Sequence, residues 1–296
     1  MYLIFDIGGT STKIGVVNRD SKIIKKYKIP KKNTLQEFLE MLEQEINYSI
    51  ETYKIQGVGI SCPGTVNTKT GEVMGQSALE YLHKYNFVNH LKNKYNFPIV
   101  IENDANCSAL AELFFENPKE KLIAFVVIGT GIGGALIKDG EIIRGRRMES
   151  GEFGYMLLKN EDGEYRNFSR LATLPNVRSR IKEKYNINTT TYSILEKYFE
   201  KEEPYYSEVS QMYDYLCMGL YNIQYTYDPE VIYIGGGISQ SDLFIEELKE
   251  RLNQGIFKDA DVQIRQVSFF NDNNILGAYA NLLKLIEGER DVFDRS

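Results

Sequence analysis

Cysteine and histidine are scarce in this sequence: three cysteines (Cys62, Cys107, Cys217) and two histidines (His83, His90) among 296 residues. The cysteines are odd in number, far apart and never spaced as CxxC, which excludes a disulfide framework and a zinc ribbon. Two histidines leave a His-based catalytic triad almost nothing to draw on. No apolar run approaches the roughly 18 residues that a membrane-crossing helix needs. Asp6 also breaks the first apolar stretch, where a signal peptide would need it continuous. Positive charge is short as well: 35 Lys and Arg stand against 41 Asp and Glu, a formal charge of -6. A protein that grips nucleic acid through surface charge leans the other way. What is present, 43% apolar and 26% charged residues, is an ordinary globular mix on a chain long enough for about two domains. These features predict a mildly acidic, soluble protein of a reducing, cytoplasmic compartment, with neither nucleic acid nor membrane as partner.

The pattern along the chain is α/β. Residues 2–5, 13–17 and 22–29 form three apolar or mixed runs joined by short turns, an antiparallel meander. The lysine-rich run Lys22–Lys32 reads as a solvated edge strand, since lysines discourage edge pairing. Thr34-Leu-Gln-Glu37 is a capping box, and Leu35, Phe38, Leu39, Leu42, Ile46 and Tyr53 follow at helical spacing. A strand over 57–61, a loop-rich stretch, a short helix near 87–94, a strand over 98–101 and a helix from Asp104 to Phe115 come next. Pro118 then ends the helix within a polar stretch, a domain boundary.

The second half opens as the first did, with a strand over 124–128, a glycine turn, a strand over 135–138, the hairpin turn Asp139-Gly140 and a strand over 141–143. The match recurs at a period of about 120 residues, a coarse internal repeat. Helices over 170–184, 192–200 and 206–226 follow, then a buried strand over 231–234, a helix over 242–253, a strand over 262–268 and a closing helix from Asn274. The expected organisation is a first lobe over 1–117, with a closing helix 274–288 packing back on it, and a second lobe over 118–273.

Gly129-Thr-Gly-Ile-Gly-Gly134 fits GxGxxG after a strand, but a dinucleotide-binding turn must open a helix. Here a hairpin strand follows, so the Rossmann reading fails, and no GxxxxGK[ST] exists for a Walker loop. A glycine turn between strands can still present successive N–H groups to an anion. One such turn is more simply a tight hairpin. Three Gly- and Thr-rich turns, each after an apolar strand, favour a nucleotide site. Asp6, at the end of a buried strand beside such a turn, is a candidate magnesium ligand, directly or through water.

The motifs Asp6-Ile-Gly-Gly-Thr10 with Lys13, Glu102-Asn-Asp-Ala-Asn106, Ile128-Gly-Thr-Gly-Ile-Gly-Gly134, Gly151-Glu-Phe-Gly154 and Ile234-Gly-Gly-Gly-Ile238 occur in the order found in ROK sugar kinases. The chain resembles that family from Met1 to the closing helix, and through it the actin/hexokinase/Hsp70 ATPase superfamily. The resemblance implies an α/β fold of two ribonuclease H-like lobes, each a mixed sheet flanked by helices, around a central cleft. It also implies phosphoryl transfer from ATP, with Mg2+, to a hexose hydroxyl, usually the 6-OH. Asp104 would be the general base, accepting the hydroxyl proton as the phosphoryl group passes in line. Read from the residues alone, Asp104 is equally an N-cap where strand hands over to helix.

By the same resemblance, Gly8, Gly9, Thr10 and Lys13, then Thr130 and Gly131, line the phosphates. Gly236 and Gly237 lie by the adenosine, and Pro63, Gly64, Asn103, Asp104 and Glu152 surround the sugar. Cys62 and Cys107 adjoin these motifs as small buried fillers. The family also suggests a homodimer.

Two departures stand out. Many members follow the GE[IFL]G motif with a histidine that binds sugar and zinc, and then carry a CxCGxxGCxE segment. Tyr155 occupies the histidine position, and residues 159–169 hold no cysteine. Without thiolate or imidazole ligands no structural zinc site is expected. The glutamate that ends the usual segment falls on Arg166. A pocket lacking both groups could admit a substituent at the anomeric position, and Gly151-Glu-Phe-Gly-Tyr-Met156 resembles the β-glucoside kinase branch. Tyr155 would then stack on a second sugar ring, or else simply pack where the histidine sat. The alternatives are a glucokinase or N-acetylmannosamine kinase acting on a free hexose, a sugar-binding regulator without its DNA-binding domain, and a catalytically silent sugar-binding protein. A regulator would place a winged helix ahead of the core, whereas this chain opens on its first strand.

Overall fold

A computed structural model describes residues 1–75, 77, 79–161 and 163–293, without the side chains of 160, 161 and 288–293. Its contacts divide the chain into two units, Met1–Pro118 with Asn271–Ser296, and Lys119–Phe270.

In unit 1, β1 (Tyr2–Ile7), β2 (Ser11–Val17) and β3 (Ile23–Pro30) form the antiparallel meander. Helix α1 (Leu35–Tyr53) leads to β4 (Val58–Cys62), the small hairpin β5 (Thr65–Asn67) and β6 (Glu72–Met74), α2 (Phe87–Lys94), β7 (Ile99–Asn103) and α3 (Asp104–Phe115). The sheet order is β3-β2-β1-β4-β7, with β1, β4 and β7 parallel. Because side chains alternate along a strand, β1 divides its residues between two cores. Leu3, Phe5 and Ile7 pack with Phe38, Met41, Leu42 and Ile46 of α1. Tyr2 and Ile4 pack with Cys107 and with Ile275, Ala278, Tyr279 and Leu282 of the closing helix (Asn273–Phe293). Asp6 belongs to that second, even-numbered face.

Local signals explain the helix starts. The Thr34 hydroxyl accepts from Glu37 N at 3.2 Å and Glu37 Oε2 accepts from Thr34 N at 3.2 Å, so both halves of the capping box form. The start of α3 corrects the expectation for Asp104. Asn103 is the cap, its Oδ1 accepting from Ala105 N at 2.9 Å and Asn106 N at 3.1 Å, and Asp104 is the first helical residue.

Unit 2 repeats the scheme. Strands β8 (Leu122–Ile128), β9 (Ile132–Lys138) and β10 (Glu141–Ile142) are antiparallel neighbours, and β13 (Val231–Gly235) and β14 (Ile264–Gln266) add on in parallel. Their order, β10-β9-β8-β13-β14, matches that of unit 1 position for position, as the internal repeat implies. Between β10 and β13 run the hairpin β11 (Leu157–Glu161) and β12 (Glu164–Asn167), α4 (Phe168–Leu171), α5 (Leu174–Tyr185), α6 (Thr191–Phe199) and α7 (Tyr205–Tyr227). Helices α8 (Asp242–Leu252) and α9 (Gly255–Lys258) precede β14. Ala124, Val126, Ile128, Ile232 and Ile234 form the sheet side of a core covered by α4–α8.

Two segments differ from the sequence reading. The helix expected over 170–184 is broken between α4 and α5, where Pro175 in the first turn of α5 has no N–H to bond the carbonyl of residue 171. Arg180 Nη1 donates to that Leu171 carbonyl instead, at 3.4 Å. Residues 157–161 and 164–167, to which the sequence reading assigned no element, pair as a hairpin with a register shift between Leu157 and Lys159. Its polar residues carry no alternation to betray it.

Candidate active site

The parallel register of unit 1 sets Asp6 beside Ser61 and Ser61 beside Glu102, a row of three polar residues near the carboxyl ends of β1, β4 and β7. Such strand ends are where open α/β sheets bind ligands. Asp6 is 5% exposed, and a buried carboxylate needs partners. Its Oδ1 accepts from Ser61 Oγ at 3.2 Å and from Asn274 Nδ2 of the closing helix at 2.9 Å. Its Oδ2 pairs with Lys13 Nζ at 3.1 Å, the two residues facing each other across the β1–β2 ladder. Lys13 Nζ also donates to the Asn271 carbonyl at 3.5 Å.

One strand over, the buried Glu102 accepts from Asn103 N at 2.8 Å and Asn106 Nδ2 at 3.0 Å. Asn103 caps α3 with its oxygen and donates through Nδ2 to the Gly64 carbonyl at 3.0 Å, tying the Pro63-Gly64 loop to the helix start. Asp104 is therefore held by its backbone on both sides. It is half-buried, and its Oδ1 accepts from Ala105 N at 2.9 Å. Desolvation and then the charge of Asp6 push its carboxyl up to about 6, against the opposing pull of the Ala105 N–H. The general base that the resemblance implies at Asp104 would work as the anion. The logarithm of kcat/KM should fall with unit slope below about pH 6 as Asp104 takes up its proton. A rate flat down to pH 5 would contradict this role.

The first glycine turn is closed by Gly8 N donating to Ser11 O at 3.0 Å, and Thr10 O accepts from Lys31 N at 3.0 Å. Gly9 and Thr10 lie at the tip. In unit 2 the corresponding turn is closed by Gly129 N donating to Gly131 O at 2.8 Å, and Ser169 Oγ anchors its far side by accepting from Ile132 N at 2.8 Å. The third turn requires glycine: Gly236 has φ +91°, and a Cβ there would lie 2.1 Å from the Ile128 carbonyl oxygen. Thr130 and Gly237 line a cavity of about 810 Å³ in unit 2, with Pro175, Tyr192, Glu196 and Leu243 among its other walls. Gly131 and Gly236 stand next to these residues in sequence and are not on the wall.

Glu152 precedes a single 3-10 turn, Phe153–Tyr155. Tyr155 is 65% exposed, which removes the reading in which it fills the core. Cys62 and Cys107 are fully buried, and burial pushes both thiols well above their ordinary range, so they are fillers and not nucleophiles. Among the described residues no group of three or more His, Cys, Asp or Glu could hold a metal ion, and no helix is long and apolar enough to cross a membrane.

Sequence reasoning missed Ser61, Asn274 and Ser169. The strand alternation could have placed Ser61 beside Asp6. Asn274 and Ser169 act across 268 and 37 residues of separation, and no local pattern announces them.

The sequence profile of the ROK family matches residues 2–284. This chain belongs to the ROK family. It is 33% identical to a beta-glucoside kinase of Listeria monocytogenes, over 95% of this chain and 96% of that protein. It is 27% identical to an N-acetyl-D-glucosamine kinase of Histophilus somni, over 96% and 99%. Among solved structures, a ROK family protein from Streptococcus pneumoniae in complex with sucrose superposes with a TM-score of 0.86 at 34% identity, covering 97% of this chain and 99% of that one. A ROK hexokinase from Thermus thermophilus, 21% identical with a TM-score of 0.80, shares the fold, covering 97% of this chain and 99% of that one. The two mixed sheets flanked by helices are thus the ROK fold.

Proposed function

We propose that this ROK sugar kinase transfers the γ-phosphoryl group of ATP to the 6-hydroxyl of a glucose-type sugar, preferentially a β-glucoside, with Asp104 as general base. What carries the proposal is the setting of Asp104: a half-buried carboxylate of raised basicity on a capped helix start, at the carboxyl ends of parallel strands. A sugar hydroxyl is a poor nucleophile. Asp104 accepts its proton as the oxygen takes the phosphoryl group, which contributes about 10²–10⁴-fold. Asn103 and Glu102 hold the carboxylate in place, and Pro63, Gly64 and Glu152 orient the sugar. Gly9, Thr10 and Lys13 of unit 1 and Thr130 and Gly131 of unit 2 bind the phosphates, Gly8 N and Gly129 N being taken up in closing their turns, and the cavity lined by Thr130 and Gly237 takes the adenosine.

Magnesium fits this residue set through Asp6. Mg2+ takes one or two carboxylates and keeps waters and phosphate oxygens for the rest. Asp6 has Oδ1 bound to Ser61 and Asn274 and Oδ2 to Lys13, so it would hold the ion through water. When bound, the ion would neutralise phosphate charge. Lys13 adds a second positive charge there and compensates Asp6 in its absence.

The β-glucoside preference rests on Tyr155, on the absent histidine and zinc segment, and on the relatives. The Listeria relative is named for β-glucosides, and the pneumococcal relative holds a disaccharide. ADP release with Mg2+ and ATP, measured on cellobiose, glucose, N-acetylmannosamine and fructose, should be fastest on cellobiose. Tyr155→Ala should raise KM for cellobiose about 3–10-fold, the value of one aromatic stack, and leave KM for free glucose unchanged. Turnover of free hexoses with none on cellobiose would discard the β-glucoside preference.

A further inference from the structure

Of the two histidines, His90 is taken up away from the proposed site, its Nε2 2.8 Å from Glu43 Oε1 of α1 and its Nδ1 3.1 Å from the Tyr85 hydroxyl. His83 has a different setting. It ends a single 3-10 turn, Glu80–His83, that is firmly seated. Leu79 and Leu82 are buried in the core that holds Phe38 and Phe87, and the Tyr81 hydroxyl donates to the Lys32 carbonyl at 3.2 Å. The half-buried ring therefore stands on a rigid base beside the β5–β6 hairpin.

Both ring nitrogens are engaged. The Val73 carbonyl of β6, 3.4 Å from Nδ1, can only accept, so Nδ1 carries the hydrogen. In the neutral imidazole Nε2 then accepts from Ser77 Oγ, 2.9 Å away, and Ser77 Oγ itself accepts from Leu79 N at 3.2 Å. The ring edge closes over Gly64. That residue has φ +99°, and a Cβ there would lie 3.2 Å from His83 Cε1, 3.2 Å from Val73 Cγ1 and 3.1 Å from the Met74 carbonyl oxygen. The Gly64 carbonyl accepts from Asn103 Nδ2 at 3.0 Å, and Asn103 caps the helix that Asp104 opens. One run of contacts thus joins residue 83 to the start of α3.

We propose that His83 is a positioning residue of the sugar site: it holds the Pro63-Gly64 loop against β6 and, through Asn103, steadies the first turn that carries Asp104. The inference rests on the reading of that loop as part of the sugar site. With both nitrogens on protein partners, His83 acts through the loop and not on the substrate. Glycine is the residue whose backbone wanders most readily, and a ring packed on Gly64 removes that freedom before the sugar arrives. Small displacements count, since a misplacement of about 1 Å can cost a reaction two orders of magnitude.

Steady-state kinetics of the full chain, with sugar and ATP varied in turn at a temperature well below every variant's melting point, test the role. The sugar is the fastest of the four in the panel. His83→Ala should raise the sugar KM about 3–10-fold, the value of one hydrogen bond with its packing, and leave the ATP KM unchanged. His83→Asn places an amide nitrogen where Nδ1 stands, keeps the Val73 bond and should recover most of that loss. Ser77→Ala leaves the ring in place, takes one partner from it and should raise the sugar KM about 2–3-fold, which supplies the answer should His83→Ala fail to fold. Three results would overturn the role: an unchanged sugar KM, an ATP KM that rises by the same factor, or a His83→Asn no better than His83→Ala. Asn103→Ser keeps an N-cap but is too short to reach the Gly64 carbonyl, and it separates the two readings. If it raises the sugar KM where the His83 variants do not, the positioning role alone fails. If all leave the sugar KM unchanged, the loop's place in the sugar site fails with it.

Discussion

Asp104→Asn should lower turnover by about 10²–10⁴-fold and at the same time raise the melting temperature. Asparagine keeps the size and the hydrogen bond from Ala105 N but cannot take a proton from a hydroxyl. The stability change follows from the raised carboxyl. Folded Asp104 holds its proton up to about pH 6, whereas the unfolded chain releases it near pH 4. Between those values the folded state binds more protons, so stability falls as pH rises through the window. At pH 7 the ionised side chain opposes folding by about 1–3 kcal/mol, allowing for its partial exposure, and the amide removes that penalty. Differential scanning calorimetry at pH 7 and pH 4.5 checks the sign: the variant should gain at pH 7 and gain less at pH 4.5. Near-wild-type kcat in this variant would sink the general-base role.

The largest purely structural effect is expected at Gly277, on the closing helix. A Cβ there would lie 1.7 Å from the Cys107 carbonyl oxygen and 2.4 Å from its carbon. These are backbone atoms of α3, so no rotamer change relieves the overlap, and the two helices must part. Ala105, Ala109 and Ala111 on α3 and Ala278 and Ala280 on the closing helix are buried and small, in keeping with a close approach. Gly277→Ala should destabilise unit 1 by about 3 kcal/mol, the upper part of the range for overpacking, and lower the melting temperature by roughly 5 °C or more. It should also reduce kcat, because Cys107 lies one turn from Asp104. A variant that melts within a degree of wild type would show that the helices do not approach as described.

Much of the fold was legible because it depends on local rules. Short apolar or mixed runs marked the strands, the glycine turns followed them, and the capping box opened α1. The recurrence of strand, turn and hairpin in the two halves anticipated two sheets of one topology. The site was legible where a motif is contiguous: Asp6 through Thr10, Glu102 through Asn106, and the turn after β8. It was not legible where partners come from afar. Asn274 reaches Asp6 only because the closing helix returns to the even-numbered face of β1, and Ser169 meets Ile132 only because α4 follows the 157–167 hairpin back to the turn. The cap at Asn103 was misplaced by one residue, since Asn103 and Asp104 have nearly equal preference for that position. Packing around Gly64 and Glu102 decides between them.

The family assignment does not by itself fix the chemistry of the pocket. Tyr155, where many members carry the histidine, and Leu157, which opens the hairpin, are both exposed.

The most direct measurement is the structure of the product. Phosphorus NMR and tandem mass spectrometry of cellobiose incubated with the protein, Mg2+ and ATP should show a monophosphate esterified at a 6-hydroxyl, formed in one-to-one ratio with ADP, and none with Asp104→Asn. ADP without any phosphorylated sugar, or the same product from Asp104→Asn at an undiminished rate, would contradict the account.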